Sequence, residues 1–527
     1  MRSKIKNERI PYKLLTLAIL SAAVFFVCKI VYAGIIALPY PKELLEPSNI
    51  MLTNQFAEGN NPYELSILSR EIPGVNYDYA FIGSLIAAAI VKITGCSAVT
   101  AHFAISLISI LASAVIGFAI VQKQTKTTVA PCFAALLFMF CHWRFGYISA
   151  APDDLGLLFY VLTLYFATSQ KIKHKPIVCA LGITLCFYTK QYFVLVAVPV
   201  FIYMLLYSRI EALKLFAWTV GINAAVAAAI TSWWPLYWTK AFLFTYMGTV
   251  VGGGGAFSTV LEQLKYLGVL FAALFAVLIV FAVVSLVKLF QSNTRLRNIR
   301  ISENDAFILH AVTTVIMIIP LCILGRNDGA FLSYFLQLWM PSIAVVTAMG
   351  IERIDHYGHE RIYICLYFAL VIFTVYFGFH KLPLHIMTDE ERENWNRAYE
   401  YIEEYSRSGD VFYSRSLSYD GFVRGNGEWI CDHDAEVSKH TVDSLITAGV
   451  PAELIEQSQL LVAQNLRYRK YITDKATSHG YSLITFELKP KQQLFTEEYC
   501  DDIGYTCIDI LELQLGNNPY KVAFYVP

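Results

Sequence analysis

A few ionisable residues stand out because each borders or breaks an apolar run: Glu46 in Leu44-Leu45-Glu46, Asp153 and Asp154 after Ala150-Ala151-Pro152, and Lys190 in Tyr188-Thr189-Lys190-Gln191-Tyr192. A carboxylate can take the proton of an attacking hydroxyl, and a cation can stabilise the charge that develops on a phosphate-linked leaving group. Each residue also has a plainer use. Acidic side chains suit a helix N-terminus, where unpaired N–H groups and the helix dipole attract them. A lysine can snorkel to an interface, and Glu43 and Glu46 read equally as solvated loop charges. Lys190 interrupts two apolar spans, however, and a cation in that setting is costly to keep without a use.

The elements that must position these residues follow from composition. Of 527 residues, 56% are hydrophobic and 16% charged, with a mean hydropathy of +0.49, so too few polar side chains exist to cover a soluble surface. The formal net charge is zero, which gives no electrostatic ground for nucleic acid as a partner; membrane lipid is the expected solvent. Apolar runs approaching the roughly 20 residues that span a bilayer lie at Leu14–Leu38, Val99–Val121, Val129–Ile148, Leu155–Ser169, Ile177–Tyr188, Tyr192–Tyr207, Ala212–Trp234, Leu267–Phe290, Ala306–Leu324, Phe335–Ile351 and Ile362–Phe379. The first is too long for the apolar core of a cleavable signal and reads as a retained anchor.

A further candidate, Ala80–Gly95, follows Pro73-Gly74 and carries Lys92. If it lies along the interface, the inward loops collect seventeen cationic residues against seven in the outward loops. If it spans, every later loop changes sides and the positive-inside rule fails. The expectation is therefore an α-helical polytopic membrane protein with about eleven transmembrane helices over residues 1–383, its N-terminus cytoplasmic in a plasma (inner) membrane. Outer loops are expected at 39–98, with a juxtamembrane helix, and at 234–266. Under this topology Glu46, Asp153 and Lys190 share one outer interface.

Past Leu382-Pro383 the composition turns polar. Thr388-Asp389-Glu390-Glu391 is a capping-box pattern opening a charged helix to about Ser408. Strand-like runs at Val411–Tyr413, Leu460–Ala463, Ser482–Phe486 and Val522–Val526 alternate with helical stretches at Asp434–Ala448 and Leu466–Gly480, so residues 384–527 read as an extracytoplasmic α/β domain. Cys500 and Cys507 are close enough in sequence for a local disulfide in an oxidising compartment, leaving Cys431 over. No zinc or iron–sulfur spacing exists among the eleven cysteines. The Gly252–Gly255 run lacks the strand-to-helix context and following Lys-Ser/Thr of a phosphate loop; it reads as a hinge or a flexible linker. No cofactor is expected; the adjacent aspartates are the place where a divalent ion could be held.

The sequence resembles the polytopic GT-C glycosyltransferases, in particular the family-39 type related to protein O-mannosyltransferases and the aminoarabinose transferase of lipid A. The resemblance rests on the order and spacing of Leu44-Leu45-Glu46, Gly59-Asn60-Asn61-Pro62-Tyr63, the interfacial helix, Pro152-Asp153 with Leu155-Gly156-Leu157-Leu158, Phe187-Tyr188-Thr189-Lys190-Gln191 and Tyr334-Phe335-Leu336-Gln337-Leu338. It implies an inverting transfer of a hexosyl or pentosyl group from a polyprenyl-phosphate donor to a hydroxyl of a glycan, lipid or protein. By it, Glu46 activates the acceptor, Asp153 supports it, and Lys190 with Gln191 contacts the donor phosphate. Glu43, Tyr63, Asp78, Arg144, Asp154, Arg326 and Tyr334 are further candidates for substrate binding. The chain departs from the family in lacking an adjacent acidic pair in the first loop and in having Ala151, rather than arginine, before Pro-Asp; Arg144 is the nearest substitute. Two other classes compete. A transporter or flippase would carry midplane charges and repeat symmetry, neither of which is evident, and eleven spans are excessive for the anchor of a binding scaffold.

Overall fold

The computed structural model describes residues 10–37, 40, 46–70, 80–142, 148–243, 302–320, 337–355, 360–380, 385–418, 427–429, 439–447, 449–488, 494–516 and 518–527. The expected span Leu267–Phe290, the Gly252–Gly255 run and Cys431 lie outside them.

A bundle of apolar helices is built by α1 (Ile10–Ala37), α2 (Glu46–Glu58), α3 (Ile82–Thr94), α4 (Ala98–Gln122), α5 (Val129–Phe140), α6 (Asp153–Thr168), α7 (Lys175–Thr189), α8 (Ala197–Tyr207), α9 (Arg209–Trp233), α10 (Ala306–Ile316), α11 (Met340–Asp355) and α12 (Glu360–His380). Local signals set their starts: Ser97, Ser208 and Asp305 cap α4, α9 and α10 by accepting from Thr100, Glu211 and Ile308 N–H groups, which satisfies donors a helix leaves open. Among the described residues, 10–36, 98–122 and 209–233 are long and apolar enough to cross a bilayer, and shorter apolar helices pack among them. The apolar window of the third is only 11% buried inside the protein, so lipid is its solvent, and the chain is a membrane protein. Two expected runs are shorter than their apolar extent: the Val129–Ile148 run leaves the helix after Phe140, and Tyr192–Tyr207 begins in a 3-10 turn over Gln191–Val196 before α8.

The bundle has two chemically different ends. At one, Thr16 near the start of α1 bonds to Thr128 at 3.1 Å, Glu352 of α11 accepts from the Lys126 and Thr127 backbone at 2.7 and 3.0 Å, and Lys175 donates to Glu303 O and Asn304 Oδ1 at 2.7 Å each. These contacts gather the loops that carry Lys123, Lys126, Lys171, Lys173, Lys175 and Arg209. At the other, Tyr40 just beyond α1 stacks on Trp395 of the polar domain at 5.3 Å. The α3 segment is 13 residues long, about 20 Å at the helical rise and short of a roughly 30 Å hydrocarbon core. It ends on Gly95 in the left-handed conformation (φ +73) and packs on α2, with Ser84 Oγ donating to Asn49 O at 3.3 Å. Thr16 and Tyr40 stand at opposite ends of α1, so the 123–128 turn, bonded to Thr16 through Thr128, lies at the end of the bundle opposite Tyr40.

Beyond the bundle, α13 (Asp389–Ser406) carries the expected capping box: Thr388 Oγ1 accepts from Glu391 N, and the Glu391 carboxylate accepts from Thr388 N. Burial opposes ionisation of Glu391, but bonds from the Thr388 backbone and His385 outweigh it and hold its carboxyl below the usual range. A five-stranded sheet in the order β2-β1-β3-β5-β4 follows, from β1 (Asp410–Tyr413), β2 (Gly427–Trp429), β3 (Tyr481–Glu487), β4 (Thr506–Leu515) and β5 (Asn518–Val526), with α14 (Lys439–Thr447), α15 (Ala452–Thr477) and α16 (Glu497–Asp502). The strand expected at Leu460–Ala463 is the middle of α15. A four-residue apolar run is ambiguous by itself; the buried positions Leu461, Gln464, Tyr468, Ile472 and Ala476 keep helical period across it. The local disulfide that the spacing of Cys500 and Cys507 would allow is not formed, since both are free thiols. Cys500 is packed into the domain core, where burial pushes its thiol up to about 12, while Cys507 is exposed on β4.

One close approach ties the fold to the residues of interest. A Cβ on Gly156 would stand 2.3 Å from the Phe193 ring, so α6 and the 3-10 turn after Lys190 meet only because residue 156 has no side chain. Gly156→Ala is expected to displace Phe193 and lower stability by about 1–3 kcal/mol, read as a fall in the melting temperature of the detergent-purified protein.

Candidate active site

Asp153 is the first residue of α6 and Lys190 follows α7 in an extended conformation (φ −156, ψ 125), so each projects from a helix end instead of a helix face. Their side chains meet. Lys190 Nζ donates to Asp153 Oδ1 at 2.8 Å and to Oδ2 at 2.7 Å, with the two residues 3% and 2% exposed. Such a pair persists in an apolar setting because each charge cancels the other's desolvation cost, and removing one partner strands the other.

Tyr192 Oη donates to Asp153 Oδ1 at 2.9 Å and also lies against Gln337. A phenol carries one proton; with Asp153 accepting it, Gln337 must present its amide NH2 to the Tyr192 oxygen. Gln337 is fully buried, and this orientation also gives a partner to an amide nitrogen that otherwise has none among the described residues. Gln191 donates to Ala241 O at 3.0 Å, tying the Lys190 segment to a π-helical turn over Trp238–Leu243. Lys240 in that turn is buried, with Nζ 3.5 Å from Pro62 O. Tyr63 meets Tyr237 edge-on at 5.3 Å and Trp234 at 5.8 Å, and Tyr188 reaches the same aromatic cluster through Phe81 at 5.7 Å.

Asp154 belongs to a separate network. Its carboxylate accepts from Ser106 Oγ and pairs with His142 Nδ1 at 2.8 Å, while the Ser149 N–H donates to Ser106 Oγ at 3.4 Å. The two neighbouring carboxylates are therefore engaged by different partners. Among the described residues no group of three or more His, Cys, Asp or Glu is placed to hold a metal ion.

The structure thus brings together Asp153, Lys190, Gln191 and Tyr63 with the π-helical turn, and sets Asp154 apart. Glu46 opens α2, with its side chain outside the described residues; Glu43, Asp78, Arg144, Arg326 and Tyr334 lie outside them altogether. Sequence reasoning passed over Tyr192, Gln337, Lys240, Ser106 and His142. Tyr192 and Gln337 sit in segments that drew attention for their neighbours; a polar residue breaking the apolar pattern at 337 was the available signal.

The last turn of contacts runs to the C-terminal domain. Gln464 of α15 donates to Ile67 O and Arg70 O at 2.7 Å each, and Gln457 accepts from Thr239 Oγ1 at 2.6 Å. The 65–70 segment, the π-helical turn and α15 are tied together by these polar bonds, on the same end of the bundle as Lys190.

Asp153→Asn is expected to take the carboxylate charge away from the buried Lys190 and to destabilise the protein by about 3–5 kcal/mol. Asp153→Asn combined with Lys190→Met should recover part of that loss in a double-mutant cycle of thermal melts; strict additivity would show that the pair is not energetically coupled.

Neither the family models nor the sequences of curated proteins give a match to this chain. Its fold is matched among solved structures. The crystal structure of ArnT from Cupriavidus metallidurans bound to undecaprenyl phosphate superposes with a TM-score of 0.56 at 9% identity, over 95% of this chain and 97% of that one. The apo structure of the same protein gives 0.51 at 10% identity, with the same coverage. Nearly the whole length is aligned in both, bundle and C-terminal domain alike. The chain is a membrane protein that shares the fold of these ArnT structures.

Proposed function

We propose that the protein is a membrane glycosyltransferase that moves a hexosyl or pentosyl group from a polyprenyl-phosphate donor to a hydroxyl acceptor, with inversion, at the end of the bundle that carries the C-terminal domain. The observation that carries this reading is the buried Lys190–Asp153 pair beneath an aromatic cluster, a cation held at a bundle end where a lipid-borne phosphate can reach it. The undecaprenyl phosphate in the similar ArnT structure supports the donor class. The cation-rich end is assigned to the cytoplasm by the positive-inside rule, which puts the site and residues 384–527 on the extracytoplasmic face of an inner membrane and residues 1–383 in the membrane domain.

In this mechanism the acceptor hydroxyl attacks the anomeric carbon while the bond from that carbon to the phosphate oxygen breaks. The acceptor proton passes to Glu46, and the electron pair stays on the departing phosphate. Lys190 stabilises that phosphate because it is aimed by Asp153, which Tyr192 holds in turn; Gln191 holds the lysine segment in place. Asp153 serves as the counter-ion of the lysine, since both of its oxygens already accept from Nζ. No dissociable cofactor is required, as the phosphate leaves with its own lipid. The acceptor is a hydroxyl of a cell-envelope glycan, lipid or protein.

Glu46→Gln is expected to abolish release of polyprenyl phosphate from a lipid-linked donor without loss of expression. Lys190→Ala should lower turnover by about 10²–10³, the scale of losing one donor to a developing oxyanion. Release of polyprenyl phosphate, followed by chromatography in proteoliposomes, is the measurement, and full activity in both variants would sink the assignment.

A further inference from the structure

The end of the bundle opposite the C-terminal domain holds a cavity of about 480 Å³ with no part in the chemistry above; Lys173, Lys175, Tyr207, Glu211, Glu303 and Asn304 are among its lining residues. Lys175 is 6% exposed and spends two N–H donors on Glu303 O and Asn304 Oδ1; an ammonium has three. Tyr207 Oη is buried and has no hydrogen-bond partner among the described residues. Glu211 lends one carboxylate oxygen to Lys214 at 2.8 Å, which leaves the other for a ligand. The named charged lining residues are thus two cations and two carboxylates. An anion alone would meet both carboxylates, and a cation alone both lysines, so the lining suits a ligand with one charge of each sign.

The surroundings say where such a ligand comes from. Tyr207 ends α8 and Glu211 lies in the first turn of α9, and on the same two helices Leu206, Ile210 and Leu213 are exposed at 49%, 67% and 68%. Large apolar side chains left open beside a charged cavity mark the boundary between hydrocarbon and water, and tyrosine favours that level. We propose that this cavity takes the headgroup of a zwitterionic phospholipid with a primary amine. Its phosphate sits on Lys173, Lys175 and the Tyr207 hydroxyl, its ammonium on Glu211 and Glu303, and its acyl chains run down the face of Leu206, Ile210 and Leu213. The Tyr207 hydroxyl is the most telling member, because the headgroup supplies the partner it lacks.

The test is native mass spectrometry of the full-length protein in detergent with added phosphatidylethanolamine, phosphatidylcholine or phosphatidylglycerol, and with soluble phosphoethanolamine. Phosphatidylethanolamine should be retained about threefold better than the other two lipids, the scale of one or two partly exposed charge contacts. Phosphatidylcholine keeps the charges but cannot donate N–H bonds to the glutamates, and phosphatidylglycerol lacks the cation. The double variant Lys173→Ala, Glu303→Gln should erase the preference. Tyr207→Phe should weaken retention with no fall in melting temperature, as it removes a hydroxyl that is unpaired without lipid. Equal retention of the three lipids, or a preference that survives the double variant, overturns the proposal. Binding of soluble phosphoethanolamine without any lipid preference overturns the assignment to a lipid.

Discussion

The buried ion pair between Lys190 and Asp153 sets the terms for everything near it. A lysine with 3% of its surface exposed is a costly charge to bury, and the carboxylate bonded to it offsets that cost only while the two stay in contact. Holding the two together demands that α6 begin at Asp153 and that α7 end just before Lys190, with the chain leaving in an extended conformation. It demands that Gly156 carry no side chain, so that Phe193 can close the contact. Tyr192 and Gln337 complete the ring of partners from a third direction. A conventional helix-to-helix turn at any of these points would pull the pair apart.

From that pair a chain of polar contacts extends outward. Gln191 binds the π-helical turn, the turn binds α15 through Thr239 and Gln457, and α15 binds the 65–70 segment through Gln464. The two bonds made by α15 are buried, and a buried amide or hydroxyl left unpaired costs on the order of 1–3 kcal/mol, so the C-terminal domain is held in a specific pose by more than apolar contact. The domain and the lysine segment are parts of one assembly. At the opposite end the same residue type does different work: Lys175 and the Lys126 backbone close loops by bonding carbonyls and Glu352, while other lysines there stand in solvent.

Much of this was legible in the residues. Asp153 and Lys190 announced themselves by breaking apolar runs, and the distribution of cations along the chain set the loops of one end apart from those of the other. The capping box at Thr388 was readable because its chemistry is local: two side chains and two backbone N–H groups within one turn. Ser106 and His142 were not, since each lies within or beside an apolar run and nothing along the chain says that Asp154 will meet them across 48 and 12 positions. The run at Leu460–Ala463 was read as a strand because four apolar residues fit either period, and the helical pattern that decides it extends well beyond them.

By itself the sequence determined that the chain lives in lipid, where its polar domain begins, and which few charges are too costly to be idle; those are sums over composition and local pattern. Tertiary structure alone decided who partners whom. Asp153 and Asp154 are adjacent in the chain, yet their carboxylates serve different networks, one closed by a lysine from another helix end and the other by a histidine and a serine. That choice depends on how helices pack and where they stop, because a charge in low dielectric is governed by the nearest compensating group in space, whatever its distance along the chain.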